Sequence, residues 1–540
     1  MPAPARPATP APARPTRRGP VLIALMATMA LSAMDNTVVA TVIPQVVRDL
    51  GGFSLFSWIF SAYLLTQTVT IPVYGKLADL WGRKPVLIAG AIVFLAGSAL
   101  SAGAWNMISL IAFRGLQGLG AGSIMATVNT LAGDLYDLEE RGRVQGWLSS
   151  VWGISAVVGP ALGGSLAQYV SWRWIFVINL PLGAAAITLI GRYLHERVAR
   201  ARHRIDLAGG AAILVAAGAL IFGLVQGGVA WPWWSVPSLL TFAAALAATA
   251  VAVAVERRAA EPIMPPWFWG RRVLAGSGLA ALGLGLLVIG PTTFLATYGQ
   301  AVLGLGAVAA GAVLATMSIG WPLASAVSAR FFLGIGFRNT EITGAAVCLA
   351  GIALFFVPGG GGTVWAPVVS TFVLGFGLGL ISVCSVVAPQ STVRWHQRGV
   401  VTGTVMFCRY LGQGVGAAIF GAIVNAVLGR WLAAAPAALR GRLPHHVNEV
   451  GPALTSPGTL GHAAADYLRR ALTAATQDVY LALAGIAVLT MVVVLLVPRR
   501  FATDAGASAA AGPGSGAGQG GTGSRDPAGG NQADTQPPPG

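Results

Sequence analysis

Three charged side chains lie deep inside apolar stretches of this 540-residue chain, where a charge could carry a proton or bind an ion, and two of them, Asp35 and Arg114, are in its first half. Asp35 falls in the run 21–43 and Arg114 in the run 107–130. A charge at the centre of a bilayer costs about 2.5–3.5 kcal/mol. If both runs are helices that cross a membrane, Asp35 lies about 12 Å from the end of its helix. Arg114 lies about 11 Å from the end of its own helix on the same side of the membrane. The spacing predicts that the two residues lie at similar depth and can pair.

A buried carboxyl group next to a cation is suited to proton transfer. Burial raises the pKa of a carboxyl group, and a nearby cation lowers it. A conformational change that alters either effect would make Asp35 take up a proton on one side of a membrane and release it on the other, with Arg114 as its coupling partner. Substrate would bind when the proton has left, and a lipophilic cation would suit the ionised carboxylate. The alternative is a structural pair that joins two helices.

Other polar residues inside apolar runs are candidates for the wall of a substrate cavity. Arg409 lies near the middle of the run 400–427, and the remaining four are Tyr63, Gln67, Gln117 and Gln413. An anionic substrate would be attracted by Arg409, so the buried charges leave the sign of the substrate open. Tyr63 and Gln67 are equally well explained as packing or interfacial residues.

The composition indicates a membrane protein. Hydrophobic residues make up 55% of the chain and charged residues 10%, and the mean hydropathy is +0.71. Soluble domains carry about 25% charged residues. The net charge of +16 could suggest nucleic acid or anionic lipid as a partner. The position of the basic residues in short loops favours the lipid bilayer and argues against nucleic acid.

Residues for catalysis or for ATP hydrolysis are missing from the apolar runs. All six histidines fall in predicted loops, and no His/Asp/Glu cluster has the spacing of a metal site. Neither lysine lies in a G-x-x-x-x-G-K-(S/T) loop. We therefore expect no cofactor, no metal and no enzymatic activity. A channel or receptor remains possible in principle, and a transporter fits better.

Fourteen runs are long and apolar enough to cross a bilayer as helices. They are 21–43, 54–74, 86–104, 107–130, 145–168, 173–191, 207–228, 236–255, 273–295, 307–329, 341–358, 365–388, 400–427 and 477–497. With a cytoplasmic N-terminus, 25 of the 34 Lys and Arg residues are cytoplasmic and 7 external, as the positive-inside rule requires. Five of those 7 lie in the loop 428–476, which either contains its own amphipathic helix or reveals a miscounted span. We expect both termini in the cytoplasm.

An internal repeat divides the chain into two related halves. At an offset of 257 residues, Gly118, Gly120 and Gly122 match Gly375, Gly377 and Gly379, and Arg141-Gly142 matches Arg398-Gly399. Parallel repeats around a central site are one way in which transporters are built. The predicted domains are a disordered basic arm (1–19), a six-helix bundle (20–191), two inserted helices with linkers (192–272), a second six-helix bundle (273–500) with the external loop 428–476, and a disordered tail (501–540).

A glycine- and charge-rich segment, which we call the latch, lies between the second and third predicted spans. It contains Gly75, Asp79, Gly82, Arg83 and Lys84. Glycines let helix ends approach closely, and Asp79 can sit near a helix N-terminus or pair with Arg83. The segment resembles the signature loop of the major facilitator superfamily, although Leu80 stands where a basic residue is usual. The resemblance implies an all-α membrane protein with the fold of that superfamily.

Three other stretches resemble the drug:proton antiporter branch with fourteen spans. They are Met34-Asp35-Asn36-Thr37 in the first span, Arg114 to Gly120 in the fourth, and Gly159, Pro160, Gly163 and Gly164 in the fifth. The resemblance implies a proton-coupled antiporter that exports small, lipophilic or cationic molecules such as drugs across the cell membrane as a monomer. An exporter or importer of one endogenous metabolite or lipid is the alternative. The fifth-span glycines are in any case packing residues, because small side chains let membrane helices approach.

Overall fold

The computed structural model describes residues 16–51, 55–56, 58–196, 207–227, 231–259, 261–357, 364–444, 447–455, 461–499 and 501. Most of the predicted arm 1–19 and nearly all of the tail 501–540 lie outside these residues. The regular elements in the described residues are helices, apart from one bridge between Gly227 and Trp231. Helices satisfy their own backbone hydrogen bonds, which a bilayer requires of any segment that spans it.

The first bundle has six spans, the last of which is a broken helix. Its helices are α1 (Arg18–Leu50), α2 (Trp58–Trp81), α3 (Arg83–Ala102), α4 (Met107–Leu135), α5 (Leu138–Tyr169) and the pair α6 (Trp174–Val177) and α7 (Asn179–Tyr193). Two long helices follow, α8 (Leu207–Gln226) and α9 (Val236–Glu256). Helix α8 packs against α9 and also against α2, and α9 forms the outer member of the inserted pair.

The second bundle begins after the short helix α10 (Pro266–Gly270). Its helices are α11 (Arg272–Ala301), α12 (Ala307–Ile335), α13 (Phe337–Leu354), α14 (Trp365–Ser391), α15 (Arg398–Ala433) and α18 (His462–Leu495), with the short helices α16 (Ala437–Arg440) and α17 (Val450–Thr455) between the last two. Each of the fourteen predicted spans overlaps a helix in the described residues, and 173–191 overlaps the two helices α6 and α7. In the described residues, eleven helices can cross a membrane by length and composition. The other three are α2, which carries several Thr and Tyr residues and a Gln along its length, α8, whose apolar part is shorter, and α13, which carries Arg338 and Glu341.

The predicted loop 428–476 is largely helical. Helix α18 begins at His462, fifteen residues before the predicted span at 477, because Gly461 provides an extended N-cap and an alanine-rich amphipathic sequence follows. Its buried face in this extension includes Ala464, Leu468 and Ala471. The amphipathic helix that the loop suggested is therefore continuous with the last predicted span.

The repeat reappears in the packing. A Cβ on Gly118 or Gly122 would collide with α2, and a Cβ on Gly120 would collide with α3. The matching glycines Gly375 and Gly379 are pressed in the same way against α12, and Gly377 against α13. Equivalent glycines therefore meet equivalent helices, so the two bundles share one internal arrangement.

The two bundles meet through a reciprocal pair of helix contacts. Helix α2 packs against α15, where a Cβ on Gly75 would lie 2.4 Å from the carbonyl oxygen of Gly399. Helix α5 packs against α12, where a Cβ on Gly142 would lie 2.9 Å from the Cβ of Ala329. Both contacts lie at the end of the molecule that holds the latch. We call this the latch end and the opposite one the far end.

Candidate functional site

Asp35 lies in the middle of α1 and has both carboxylate oxygens occupied. Its Oδ2 accepts from the guanidinium Nη1 of Arg114, and its Oδ1 accepts from Nε2 of Gln117 at 2.9 Å. Asp35 is 3% exposed, and Arg114 and Gln117 are fully buried. The structure thus joins Asp35 and Arg114 directly, as their predicted depths allow. The arrangement suits an ionised carboxylate, since both oxygens accept hydrogen bonds.

Arg114 connects this pair to α2. Its Nε donates to the carbonyl oxygen of Ile59 at 3.3 Å, and its guanidinium carbon lies 4.3 Å from the ring centre of Tyr63. The Oη of Tyr63 is 2.8 Å from Oγ of Ser32, which also accepts from Nε2 of Gln67 at 3.4 Å. Tyr63 and Gln67, predicted as cavity residues, are fully buried here and belong to the network around Asp35.

The network extends to α3 through Ser98 and to α7 through Asn179. Gln117 Nε2 lies 3.4 Å from Oγ of Ser98, which accepts from Nδ2 of Asn179 at 3.0 Å. Ser98 donates in turn to the carbonyl oxygen of Phe176. Asn179 is the first residue of α7, directly after the break in the sixth span.

At the latch end, Asp79 of the first bundle caps a helix of the second. Its two carboxylate oxygens accept from the backbone nitrogen atoms of Gly399 at 2.9 Å and Val400 at 2.7 Å, in the first turn of α15. An anion at a helix N-terminus is stabilised by the orphan N–H groups and by the helix dipole. Asp79 also pairs with Arg83 at 2.9 Å, so both predicted partners, a helix N-terminus and Arg83, are engaged together.

Arg83 is the centre of the latch. Its fully buried guanidinium contacts Asp79, and its Nε donates to Asp134 at 2.9 Å. It also donates to the carbonyl oxygen of Trp395 in the second bundle at 2.6 Å and stacks on that ring at 3.6 Å. Arg398 of the second bundle reaches back to Asp134 at 3.1 Å. These contacts hold the latch end of the two bundles together.

The sequence analysis did not identify three residues that contact the latch, namely Asp134, Trp395 and Arg398. The repeat gave a signal for Arg398, because it matches Arg141 next to a glycine of the bundle contact. A second missed contact is Gln390, whose Nε2 donates to the carbonyl oxygen of Asn129 at 3.2 Å and to Thr402 at 2.8 Å. Side chains brought together from distant parts of the chain leave no local pattern.

The remaining latch residues have separate local roles. Gly75 makes the close approach to Gly399, whereas Gly82 has a φ of 97° at the turn between α2 and α3. Lys84 does not bridge the bundles, because its Nζ donates to the carbonyl oxygens of Gly191 at 2.8 Å and Leu194 at 2.7 Å at the end of α7. A lysine suits this place, since cations are favoured at helix C-termini.

The predicted antiporter residues of α5 differ from one another. A Cβ on Gly159 would lie 2.1 Å from Oγ1 of Thr37, and one on Gly163 would lie 2.3 Å from Oγ1 of Thr41, both on α1. A Cβ on Gly164 would meet nothing within 4 Å. Pro160 lies on an exposed face inside the helix. The packing explanation therefore holds for Gly159 and Gly163 but not for Gly164.

Arg409 and Gln413 lie one turn apart on α15 and are partly exposed. The guanidinium carbon of Arg409 is 4.9 Å from the ring centre of Trp321 on α12. Its Nε is buried without a hydrogen-bond partner. Arg409 is therefore a cation near the middle of the second bundle, facing an aromatic ring.

A second acid, besides Asp35, is buried near the start of a helix in the second bundle. Glu341, in the second turn of α13, is 3% exposed, and its Oε1 has no hydrogen-bond partner. The sequence placed it at the very start of a span, because the four preceding residues include Arg338 and two other polar residues. The structure begins α13 at Phe337, which brings Glu341 against α14.

Comparison with known proteins identifies relatives over most of the chain. A family model described as Major Facilitator Superfamily matches residues 25–417. The multidrug transporter protein MdtP of Bacillus subtilis is 34% identical over 416 residues, which is 77% of each chain. Multidrug resistance protein 3 of the same organism is 34% identical over 407 residues, covering 75% of this chain and 79% of that one.

Solved structures agree on the fold. The crystal structure of the human organic anion transporter MFSD10 covers 88% of this chain and 99% of its own, with a TM-score of 0.58 and 14% identity. A bacterial homologue of the iron transporter ferroportin has a TM-score of 0.56 and 12% identity. Identities this low show the fold alone.

Two related helical bundles are joined by a latch, and the first carries a charge pair in its interior. This arrangement is that of a multi-pass membrane transporter of small molecules. The family match agrees, and the protein is a transporter rather than an enzyme. The chain belongs to the major facilitator superfamily.

Proposed function

We propose that this chain is a proton-coupled antiporter that exports small lipophilic molecules, drugs or antibiotics among them, across the cytoplasmic membrane by alternating access. The names of its Bacillus relatives support drug export. The distribution of Lys and Arg supports a cytoplasmic latch end and cytoplasmic termini. In this arrangement, the structure corresponds to the state in which the cytoplasmic side is closed.

The observation that carries the proposal is the buried Asp35, held as an acceptor by Arg114 and Gln117. A proton on Asp35 would remove its charge and weaken its hold on Arg114, because the pair depends on both charges. Arg114 contacts Ile59 and Tyr63, which are both on α2. The same helix carries Gly75 and Asp79 of the latch.

Helix α2 therefore links proton binding to the latch. Tyr63 and Asp79 are sixteen residues apart on this helix, or about 24 Å along its axis. A shift of α2 that follows release of Arg114 would move Gly75 away from Gly399 and Asp79 away from the first turn of α15. Protonation from outside would in this way open the cytoplasmic side, and proton release to the cytoplasm would close it.

The test is transport by the purified protein in liposomes with an imposed pH gradient. For an antiporter, an acidic lumen drives substrate into the vesicle, whereas a symporter drives it out. We expect Asp35→Asn to lose gradient-driven accumulation by more than tenfold while keeping substrate exchange at equal pH, because exchange needs no net proton movement. The matched control is Asp478→Asn, which removes a half-exposed acid from α18.

Two results would overturn the proposal. One is accumulation by Asp35→Asn at the wild-type rate under the pH gradient. The other is substrate movement in the symport direction, which would favour uptake of an endogenous metabolite. An inactive Asp478→Asn would show instead that loss of any such acid disturbs the fold.

A further inference from the structure

Arg409 lacks an anionic partner in this structure. Among the residues that the structure describes, no carboxylate forms an ion pair with it, and its aromatic contact is Trp321. Its Nε is buried without an acceptor, while the residue as a whole keeps part of its surface open. An arginine side chain carries five donors in a planar fork that matches a carboxylate, a sulfonate or a phosphate. A buried N–H donor without an acceptor is costly, and an anionic ligand would supply an acceptor.

The position of Arg409 is level with the Asp35 network. Helices α2 and α15 run antiparallel, with Gly75 against Gly399 and Ile71 near Gly403. Continuing along both helices toward the far end places Tyr63 level with the turn of α15 that holds Arg409. The guanidinium thus lies in the second bundle at the depth where the first bundle carries Asp35 and Arg114.

The acid at this depth is not free to bind a cation. Both oxygens of Asp35 are occupied by Arg114 and Gln117. With Asp35 ionised, Asp35, Arg114 and Arg409 have a formal sum of +1. The unneutralised charge is that of Arg409, so the site favours a ligand with one negative charge over the lipophilic cation that Asp35 alone suggested.

The repeat indicates what the rest of the ligand contacts. At the offset of 257 residues, Arg409 matches Trp152 of α5. Equivalent positions of the two bundles therefore carry a cation in one and an aromatic ring in the other. Trp152 and Trp321 are both partly exposed. A ligand with an acidic group at one end and an aromatic or apolar body would match this asymmetry.

We propose that Arg409 and Trp321 form an anion-binding subsite, and that the molecules exported are amphiphilic organic anions, such as aromatic carboxylates or sulfonates. The direction and driving force of transport rest on the proposed function. Binding of the anion itself does not depend on it.

The experiment compares three probes of similar size: a fluorescent aromatic carboxylate, its neutral amide and a lipophilic phosphonium cation. Transport into liposomes with an acidic lumen is measured for the wild type, Arg409→Gln and Arg409→Lys. The matched control is Arg430→Gln, which removes a largely exposed arginine from the same helix. We expect Arg409→Gln to raise the KM for the carboxylate at least tenfold, Arg409→Lys to raise it less, and Arg430→Gln to leave it unchanged.

The neutral amide tests whether Arg409 has only a structural role. If Arg409 binds the acidic group, Arg409→Gln changes the KM for the amide by less than twofold, whereas a misfolded variant loses both probes. The inference is overturned if the wild type moves the cation but not the carboxylate, or if Arg409→Gln leaves the KM for the carboxylate unchanged.

Binding in detergent separates this inference from the proposed function. Quenching of tryptophan fluorescence by the carboxylate reports binding without a gradient. If no probe is transported, yet the carboxylate binds to the wild type and not to Arg409→Gln, the proton-driven function fails and the anion subsite stands. If the probes are transported but the carboxylate shows no preference for Arg409, the function stands and the subsite fails.

Discussion

The carboxylate of Asp79 accepts from the backbone nitrogen of Val400 at 2.7 Å and thereby joins α2 of one bundle to the start of α15 in the other. The two residues are 321 positions apart in the chain. A charged cap on a helix terminus is ordinarily a contact within one segment. Here the acid and the helix belong to different bundles, so breaking the cap is coupled to separating them.

The first prediction concerns this cap. Asp79→Asn keeps one acceptor but loses the charge, and should destabilise the closed latch by about 1–2 kcal/mol. A cysteine placed at Asn129, in a variant whose three buried cysteines are replaced by serine, should then react with a maleimide from the latch side roughly 5–30-fold faster. The matched control is Asp137→Asn, because Asp137 caps α5 within its own bundle. Equal labelling rates in Asp79→Asn and the parent protein would contradict the cap's role.

A second prediction compares a glycine in the contact between the bundles, Gly75, with a glycine that faces open space, Gly164. Gly75→Ala forces a Cβ to 2.4 Å from the carbonyl oxygen of Gly399, which is backbone and cannot rotate away. Overpacking costs about 1–3 kcal/mol, so transport should fall about 5–150-fold. Gly164→Ala meets open space and should change transport by less than twofold. Unimpaired transport by Gly75→Ala would mean that this close contact is not formed during the cycle.

The third prediction is that Arg83→Lys abolishes transport, although the substitution keeps the positive charge. Lysine keeps the charge but lacks the planar fork that reaches Asp79, Asp134 and the carbonyl oxygen of Trp395. Breaking a buried ionic network costs about 3–5 kcal/mol. We expect loss of transport and a lower thermal midpoint in detergent. Arg18→Lys, in a half-exposed pair with Glu140, should change neither, and equal behaviour of the two variants would refute the prediction.

The repeat predicts that Glu341 can be replaced by leucine. Gly82 and Gly336 both have positive φ at the starts of α3 and α13, and the fifth residue after each is Leu87 and Glu341 respectively. A buried polar group without a partner costs about 1–3 kcal/mol, so Glu341→Leu should raise the thermal midpoint and preserve transport. Leu87→Glu, the reverse change in the other bundle, should lower the midpoint. Loss of transport by a well-folded Glu341→Leu protein would assign Glu341 a role in the cycle.

How far the sequence could predict the site depends on the distance between the partners. Asp35 and Arg114 were identified because each is an expensive charge inside an apolar run, and their depths follow from helix geometry alone. Asp79 and Arg83 are four residues apart in one charged segment, so their closeness in sequence and opposite charges also suggested their pairing. Ser98, Asp134 and Gln390 are ordinary polar residues in sequence, and their part in the two networks follows from helices that meet only in the folded chain.

By itself the sequence determined that this chain is an all-α membrane protein built from many apolar helices, because the cost of placing polar backbone and charge in a bilayer leaves few alternatives. The tertiary structure decided which glycines are essential to packing, which acid is fully occupied and which arginine is unpaired. Gly159, Gly163 and Gly164 look alike in sequence, as do Arg114 and Arg409. What distinguishes them is whether another helix occupies the space beside them, and only the packing of the helices settles that.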